Sequence, residues 1–160
     1  MIPPVIKTRL LQLIAGGASA VAIAGALVGY FEGTSYPAYQ DVNGTWTACR
    51  GHTGPDVIPH KVYTEAECQA FEDKDIAKAT AAVHRHVKVR LSNVEEGALI
   101  DYTFNEGEGH LMSSTLLRKI NAGDKRGACT EYRKWVLAGG RKYQGLVNRR
   151  DTEEWLCSMG

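Results

Sequence analysis

The chain lacks the marks of several common functions. Its four cysteines, Cys49, Cys68, Cys129 and Cys157, contain no Cys-x-x-Cys pair. That argues against zinc-ribbon and thioredoxin-like chemistry. Net charge is only +1, and neither an RNA-binding aromatic motif nor a zinc-finger spacing occurs. Composition therefore gives no case for a nucleic-acid partner. Repeats and low-complexity linkers are absent as well. The 160 residues suffice for one compact domain or two small lobes sharing a core. With 44% hydrophobic and 23% charged residues, the composition is that of an ordinary globular protein.

Charge is also missing from one long stretch. Leu10 to Phe31 carries none, while Lys7 and Arg9 precede it. Its length suits a helix crossing a bilayer, and the flanking positives orient the N-terminus inward. The stretch is a poor permanent anchor, because Gly16, Gly17, Gly25 and Gly29 interrupt it and Gln12 and Ser19 add polarity. Insertion should be reversible at modest cost. Two other readings compete: a cleaved signal peptide, since Ala18-Ser19-Ala20 and Ala22-Ile23-Ala24 resemble small-residue cleavage sites, and a Gly/Ala-rich core helix. Because the apolar run continues into Glu32 without a linker, an uncleaved anchor is expected over residues 1–31, followed by a catalytic domain over 32–160.

What is present begins where the apolar run ends. Glu32 is followed nine positions later by Asp41, and six after that by Thr47. Two carboxyl groups in different environments are what glycosidic bond cleavage requires: one donates a proton to the leaving oxygen, the other activates water or attacks the sugar. Glu32, at the end of an apolar helix, suits the protonated role, and Asp41, in a wetter turn, the ionised one. Tyr36 to Tyr63 reads as a small β-hairpin lobe, with Asn43-Gly44 as a turn. Thr64-Glu65-Ala66-Glu67 and Ser92-Asn93-Val94-Glu95 are capping boxes. The first predicts a connector helix to about Val89, the second a helix ended by Gly107 and Gly109. Further helices are predicted from Ser114 to Gly123, over 125–138 before Gly139-Gly140, and over 146–157.

The triplet with the following Cys49-Arg50-Gly51-His52-Thr53-Gly54 resembles the active site of phage-type lysozymes, glycoside hydrolase family 24. The likeness extends to Ala98–Asn105 with Gly107, to Ser114–Asn121, and to Gly145–Arg150 followed by Glu154 and Cys157. Glu106 and Glu108 depart from it, where relatives often carry uncharged residues. The resemblance implies an α+β, mostly helical, two-lobed fold with a long helix joining the lobes. It implies hydrolysis, by inversion, of the β-1,4 bond between N-acetylmuramic acid and N-acetylglucosamine in peptidoglycan. Thr47 would hold the attacking water, Arg149 would pair with Glu32, and His52 would bond a carboxylate structurally. Phe104 and Asn105 would line the sugar groove. No metal or organic cofactor is needed. A lytic transglycosylase, an exported lysozyme without anchor control, and a non-catalytic lysis protein are the alternatives.

An apolar segment leading straight into the acid looks like a signal-anchor-release endolysin. Held in the inner membrane, Glu32 could not pack into the domain; released into the periplasm, the segment would fold and the site assemble. Export makes disulfides the default. Of three possible pairings, Cys49–Cys68 and Cys129–Cys157 are expected, tying the hairpin to the next helix and two C-terminal helices together. A monomer is expected. The C-terminal basic pairs, Arg118-Lys119 to Arg149-Arg150, read as solvated helix faces, or as a mild attraction to an anionic wall polymer. His84 and His86 lie on different sides of one helix and make a poor metal pair.

Overall fold

The computed structural model describes residues 1–160. Helices α1 (Pro4–Ala15) and α2 (Ala20–Phe31) lead into strands β1 (Ser35–Gln40), β2 (Trp46–Cys49) and β3 (His52–Thr53). The long helix α3 (Glu65–His86) follows, then α4 (Asn93–Glu106), α5 (Glu108–Ser113), α6 (Thr115–Asn121) and α7 (Lys125–Glu131). A 3-10 turn at Tyr132–Lys134, the strand pair β4 (Leu137–Ala138) and β5 (Arg141–Lys142), and α8 (Gln144–Met159) complete the chain. The antiparallel sheet β1-β2-β3 forms one small lobe and the helices the other, with α3 touching both. The architecture is α+β and lysozyme-like.

Both predicted capping boxes are formed. Thr64 and Glu67 exchange hydrogen bonds at the start of α3, and Ser92 and Glu95 do so at α4. Each satisfies two backbone N–H groups that a helix start otherwise leaves without partners. Both expected disulfides are present. Cys49–Cys68 pins the end of β2 to α3, and Cys129–Cys157 joins α7 to α8.

The charge-free stretch folds as two helices, not one. Gly17 takes a left-handed φ of 74°, and the Ser19 side chain accepts from Ala22 N to start α2. A left-handed glycine followed by an N-cap ends one helix and begins another, whatever the apolar continuity. No helix is long and apolar enough to cross a membrane. Ile6 and Leu10 of α1, and Ala20, Ile23, Ala24, Leu27 and Val28 of α2, share the main core with Leu99, Ile100 and Tyr102 of α4 and Leu156 of α8. The buried residues of α2 recur every three to four positions, so one face packs while Val21 and Tyr30 stay exposed.

Two other expectations are corrected. The helix predicted over 125–138 stops at Glu131. Gly139 and Gly140, both at positive φ, form the turn of a β4–β5 hairpin where the sequence suggested a helix stop. Gly107, at φ 89°, redirects the chain into the extra helix α5, which contains Gly109.

The site depends on how closely α2 approaches α4. A Cβ on Gly97 would lie 2.7 Å from Ile23 Cγ2 and 3.1 Å from the Ala20 carbonyl oxygen. Gly97→Ala should therefore push α2 outward and destabilise the fold by about 1–3 kcal/mol. Thermal denaturation should show the loss, and activity should fall with it because α2 carries Glu32.

Candidate active site

Glu32 caps the C-terminal end of α2, its backbone N–H bonded to the Val28 carbonyl. Its side chain is 19% exposed. Oε1 accepts from Arg149 NH1 at 2.7 Å. Oε2 faces the tight turn after β2, where a Cβ on Gly51 would stand 3.1 Å from it. Gly51 also has a φ of 76°, so both its conformation and this approach require glycine. No protein donor reaches Oε2, and that oxygen is free to exchange a proton with a bound molecule.

Arg149 is the buried centre of this arrangement. It projects from α8 at 3% exposure. Nε and NH2 grip the two oxygens of Asp101, on α4, at 2.9 and 2.7 Å. Its guanidinium lies 5.7 Å from the Phe31 ring centroid. Burial works against the cation, but Asp101 and then Glu32 outweigh it and hold the guanidinium charge more firmly than usual. Burial likewise works against an ionised Asp101, yet Arg149 prevails and holds that carboxyl below its usual range.

Asp41 lies in the β1–β2 turn. Its Oδ1 accepts from the backbone N–H groups of Asn43 (2.8 Å) and Thr45 (2.9 Å). Thr47 is buried in β2, opposite Tyr39 on one side and Thr53 on the other. Its hydroxyl donates to the Thr45 carbonyl at 3.1 Å, and that carbonyl also accepts from Asp41 N–H. Thr45 thus links Asp41 and Thr47 rigidly through its own backbone. Because the Thr47 hydroxyl proton is committed, its oxygen presents lone pairs only.

His52 is buried in β3, stacked on Phe71 with ring centroids 3.9 Å apart. Nδ1 meets Asp75 at 2.7 Å and Nε2 meets Asp56 at 2.9 Å. Both nitrogens are engaged, which ties the hairpin to α3 and leaves no free imidazole atom. The bond to His52 holds the Asp56 carboxyl below its usual range.

A cleft of about 490 Å³ opens between the hairpin, α3 and α4. Gly51 and Thr53 form one edge, Asp75, Lys78 and Arg85 the floor, and Thr103, Phe104, Gly107 and Glu108 the far wall. None of Glu32, Asp41 and Thr47 is among its lining residues; Glu32 lies behind Gly51, which does line it. Phe104 lines the cleft and also packs on the core. Asn105 does not line it; its Oδ1 accepts from Arg150 NH2 at 2.9 Å. A larger groove of about 830 Å³ between α2 and α3 contains none of the candidate residues.

Sequence reasoning missed part of this site. Arg149 pairs with Glu32 as the family likeness implied, but the basic pair Arg149-Arg150, read also as a solvated helix face, is buried. Asp101, taken only as part of a family segment, is fully buried beneath Arg149, and the buried acid on α8 is Glu153, while Glu154 pairs with surface Arg133. A usable signal existed: acids and arginines inside otherwise apolar helical faces at positions 101, 149, 150 and 153. His84 and His86 meet different partners, Glu96 and Glu108.

The two lobes, and the carboxylate held at their junction by a buried arginine, are those of a lysozyme-like glycoside hydrolase. The family model for phage lysozyme matches residues 29–153, and the chain belongs to that family, within its signal-anchor-release (SAR) endolysin branch. It is thus a phage-lysis muramidase. The SAR-endolysin of Enterobacteria phage P21 is 42% identical over 99% of this chain and 98% of its own. The active form of the P1 phage endolysin Lyz superposes with a TM-score of 0.78 at 23% identity, covering 97% of this chain and 94% of that one. The secreted inactive form of the same endolysin gives a TM-score of 0.55 at 22% identity, covering 67% and 76%.

Asp101→Asn should leave the Arg149 cation partly uncompensated and cost about 3–5 kcal/mol at neutral pH. The carboxyl titrates lower in the folded than in the unfolded state. Its contribution is therefore complete above the unfolded value, about pH 4, and is lost as pH falls through the folded one. Chemical denaturation across pH should show the gap between wild type and variant closing only in that acid range.

Proposed function

We propose that this muramidase hydrolyses the β-1,4 bond between N-acetylmuramic acid and N-acetylglucosamine in peptidoglycan, with Glu32 as the general acid. The carrying observation is the division of labour at the Glu32 carboxyl. Arg149 holds Oε1, which fixes the direction of the group, and Oε2 is left unpartnered beside Gly51, itself a cleft-lining residue. A carboxyl fixed by one oxygen and free at the other can deliver a proton to a glycosidic oxygen.

Asp41 serves as the second carboxylate. The two N–H donors on Oδ1 hold it in place and leave Oδ2 for a water. Thr47 accepts one hydrogen of that water, because its own proton is committed to Thr45. A water gripped by Thr47 and deprotonated by Asp41 attacks the anomeric carbon as Glu32 protonates the leaving oxygen, with inversion. Phe104 offers an apolar surface to the sugar ring, while Asn105, bonded to Arg150, braces the helix behind it.

The N-terminal segment supplies the control. In this reading residues 10–31 tether an inactive form to the inner membrane, facing the periplasm, and release lets α1 and α2 fold. Three observations support it. The two helices meet at a glycine pair, α2 exposes no charged side chain on its free face, and Glu32 meets Arg149 across the α2–α8 packing.

Glu32→Gln should lower peptidoglycan clearing by about a hundred- to ten-thousandfold, more than its lowered melting temperature accounts for when both proteins are assayed well below their transitions, since Arg149 loses one of its two anions. Mass spectrometry of wild-type products should show reducing ends; anhydro-muramic ends would instead indicate a transglycosylase. Membrane-held protein should be inactive and the released form active in the same assay. Equal activity of the two would overturn the tether.

A further inference from the structure

Behind Glu32 lies a group of ionisable side chains that the proposed chemistry does not use. Glu153 of α8 and Asp101 of α4 are both fully buried, as is Arg150. Each of the three guanidinium nitrogens of Arg149 donates to Asp101 or Glu32. Arg150 gives NH2 to Asn105 and to Glu153 Oε1 (3.0 Å), and NH1 to Glu106 (3.2 Å). Its Nε is 2.9 Å from Glu153 Oε2 but off the hydrogen-bond direction, and that oxygen accepts from nothing. Tyr102 and Tyr132 complete the surroundings, the Tyr102 ring 5.5 Å from the Arg150 guanidinium.

Charge does not balance if all these acids are ionised. Asp101, Glu153, Glu106 and Glu32 would set four negative charges against two guanidinium groups, with only the exposed His110 imidazole, 3.5 Å from Glu106, on the solvent side. Burial of the excess is costly, and the cheapest relief is to neutralise the acid with an orphan oxygen and no water. A protonated Glu153 turns that orphan oxygen into a donor, and Asp101 is the acceptor within its reach. Asp101 already accepts twice from Arg149 and retains lone pairs for a third bond.

We propose that Glu153 is a neutral carboxylic acid whose proton is donated to Asp101, and that this shared proton sets how Arg149 divides itself between Asp101 and Glu32. Glu153 is then a positioning residue, and the inference rests on Glu32 as the proton donor. The proton draws off part of the Asp101 charge. Arg149 is pulled less strongly toward α4 and keeps its NH1 on Glu32 Oε1. Burial pushes the Glu153 carboxyl well above its usual range, against the pull of Arg150, in the same direction.

Infrared spectra of the full-length, disulfide-bonded protein at neutral pH should show a protonated-carboxyl band that survives in Glu32→Gln and vanishes in Glu153→Gln. Its absence from the wild type would overturn the proposal. Glu153→Gln, a neutral donor of the same shape, should keep kcat/KM within about twofold of wild type. Glu153→Leu should move the alkaline limb of the pH–rate profile upward by about half a unit, because Arg149 drifts to Asp101 and loosens its hold on Glu32 Oε1. Equal damage by Gln and Leu would mean an ionised Glu153 paired with Arg150, and would also overturn the proposal. Should the Leu variant fail to fold, the infrared comparison still decides. Full clearing by Glu32→Gln would sink the proton-donor reading alone, since the infrared band does not depend on it.

Discussion

The contact between Arg149 and the two carboxylates of Asp101 and Glu32 is the constraint around which the helical lobe is arranged. A guanidinium at 3% exposure can remain charged only if its desolvation is met by close, well-directed anions. Asp101 meets most of it with a two-pronged grip, and Glu32 supplies the remainder. Satisfying this cation requires α2, α4 and α8 to be in place together. The acid at the end of α2 is therefore oriented only in a chain whose N-terminal segment has packed.

In the proposed mechanism, that requirement joins folding to activity. α2 is built from residues that tolerate either environment: Ala and Gly in quantity, a few large aliphatic side chains on one face, and no charge before Glu32. Packed on α4, the aliphatic face is buried and Gly97 lets the helices come close. Unpacked, the same helix has no polar group that must be satisfied inside the protein. The segment is thus committed to the fold mainly by apolar contact and by the Glu32–Arg149 pair.

The sheet lobe is organised by different means. It is small, with a minor core of Ala48, Cys49, Val57, Tyr63 and Cys68, and so relies on a covalent link and on polar ties. Cys49–Cys68 closes a 19-residue separation, worth about 2–4 kcal/mol by restricting the unfolded chain. His52 bridges Asp56 and Asp75 while stacking on Phe71. These ties keep the turn at Gly51 against Glu32, and the Thr45 backbone keeps Asp41 and Thr47 in a common frame.

Local features were legible from the chain alone. Capping boxes at Thr64 and Ser92 start helices because their hydrogen bonds close within four residues, whatever surrounds them. The spacing of Glu32, Asp41 and Thr47, and the likeness around them, identified the reaction class. Features that depend on distant partners were not legible. Gly139-Gly140 ends a helix or turns a hairpin equally well, and only the pairing of Leu137 with Lys142 chose. The apolar run from Leu10 reads as one span until Gly17 and Ser19 are weighed against a core that can receive two shorter helices. Arg150, Asp101 and Glu153, and Arg149 apart from the family likeness that pairs it with Glu32, look like surface charges in one dimension, because a buried charge is affordable only beside its counter-charge. Those counter-charges lie as many as 117 positions away, so folding alone could assemble them.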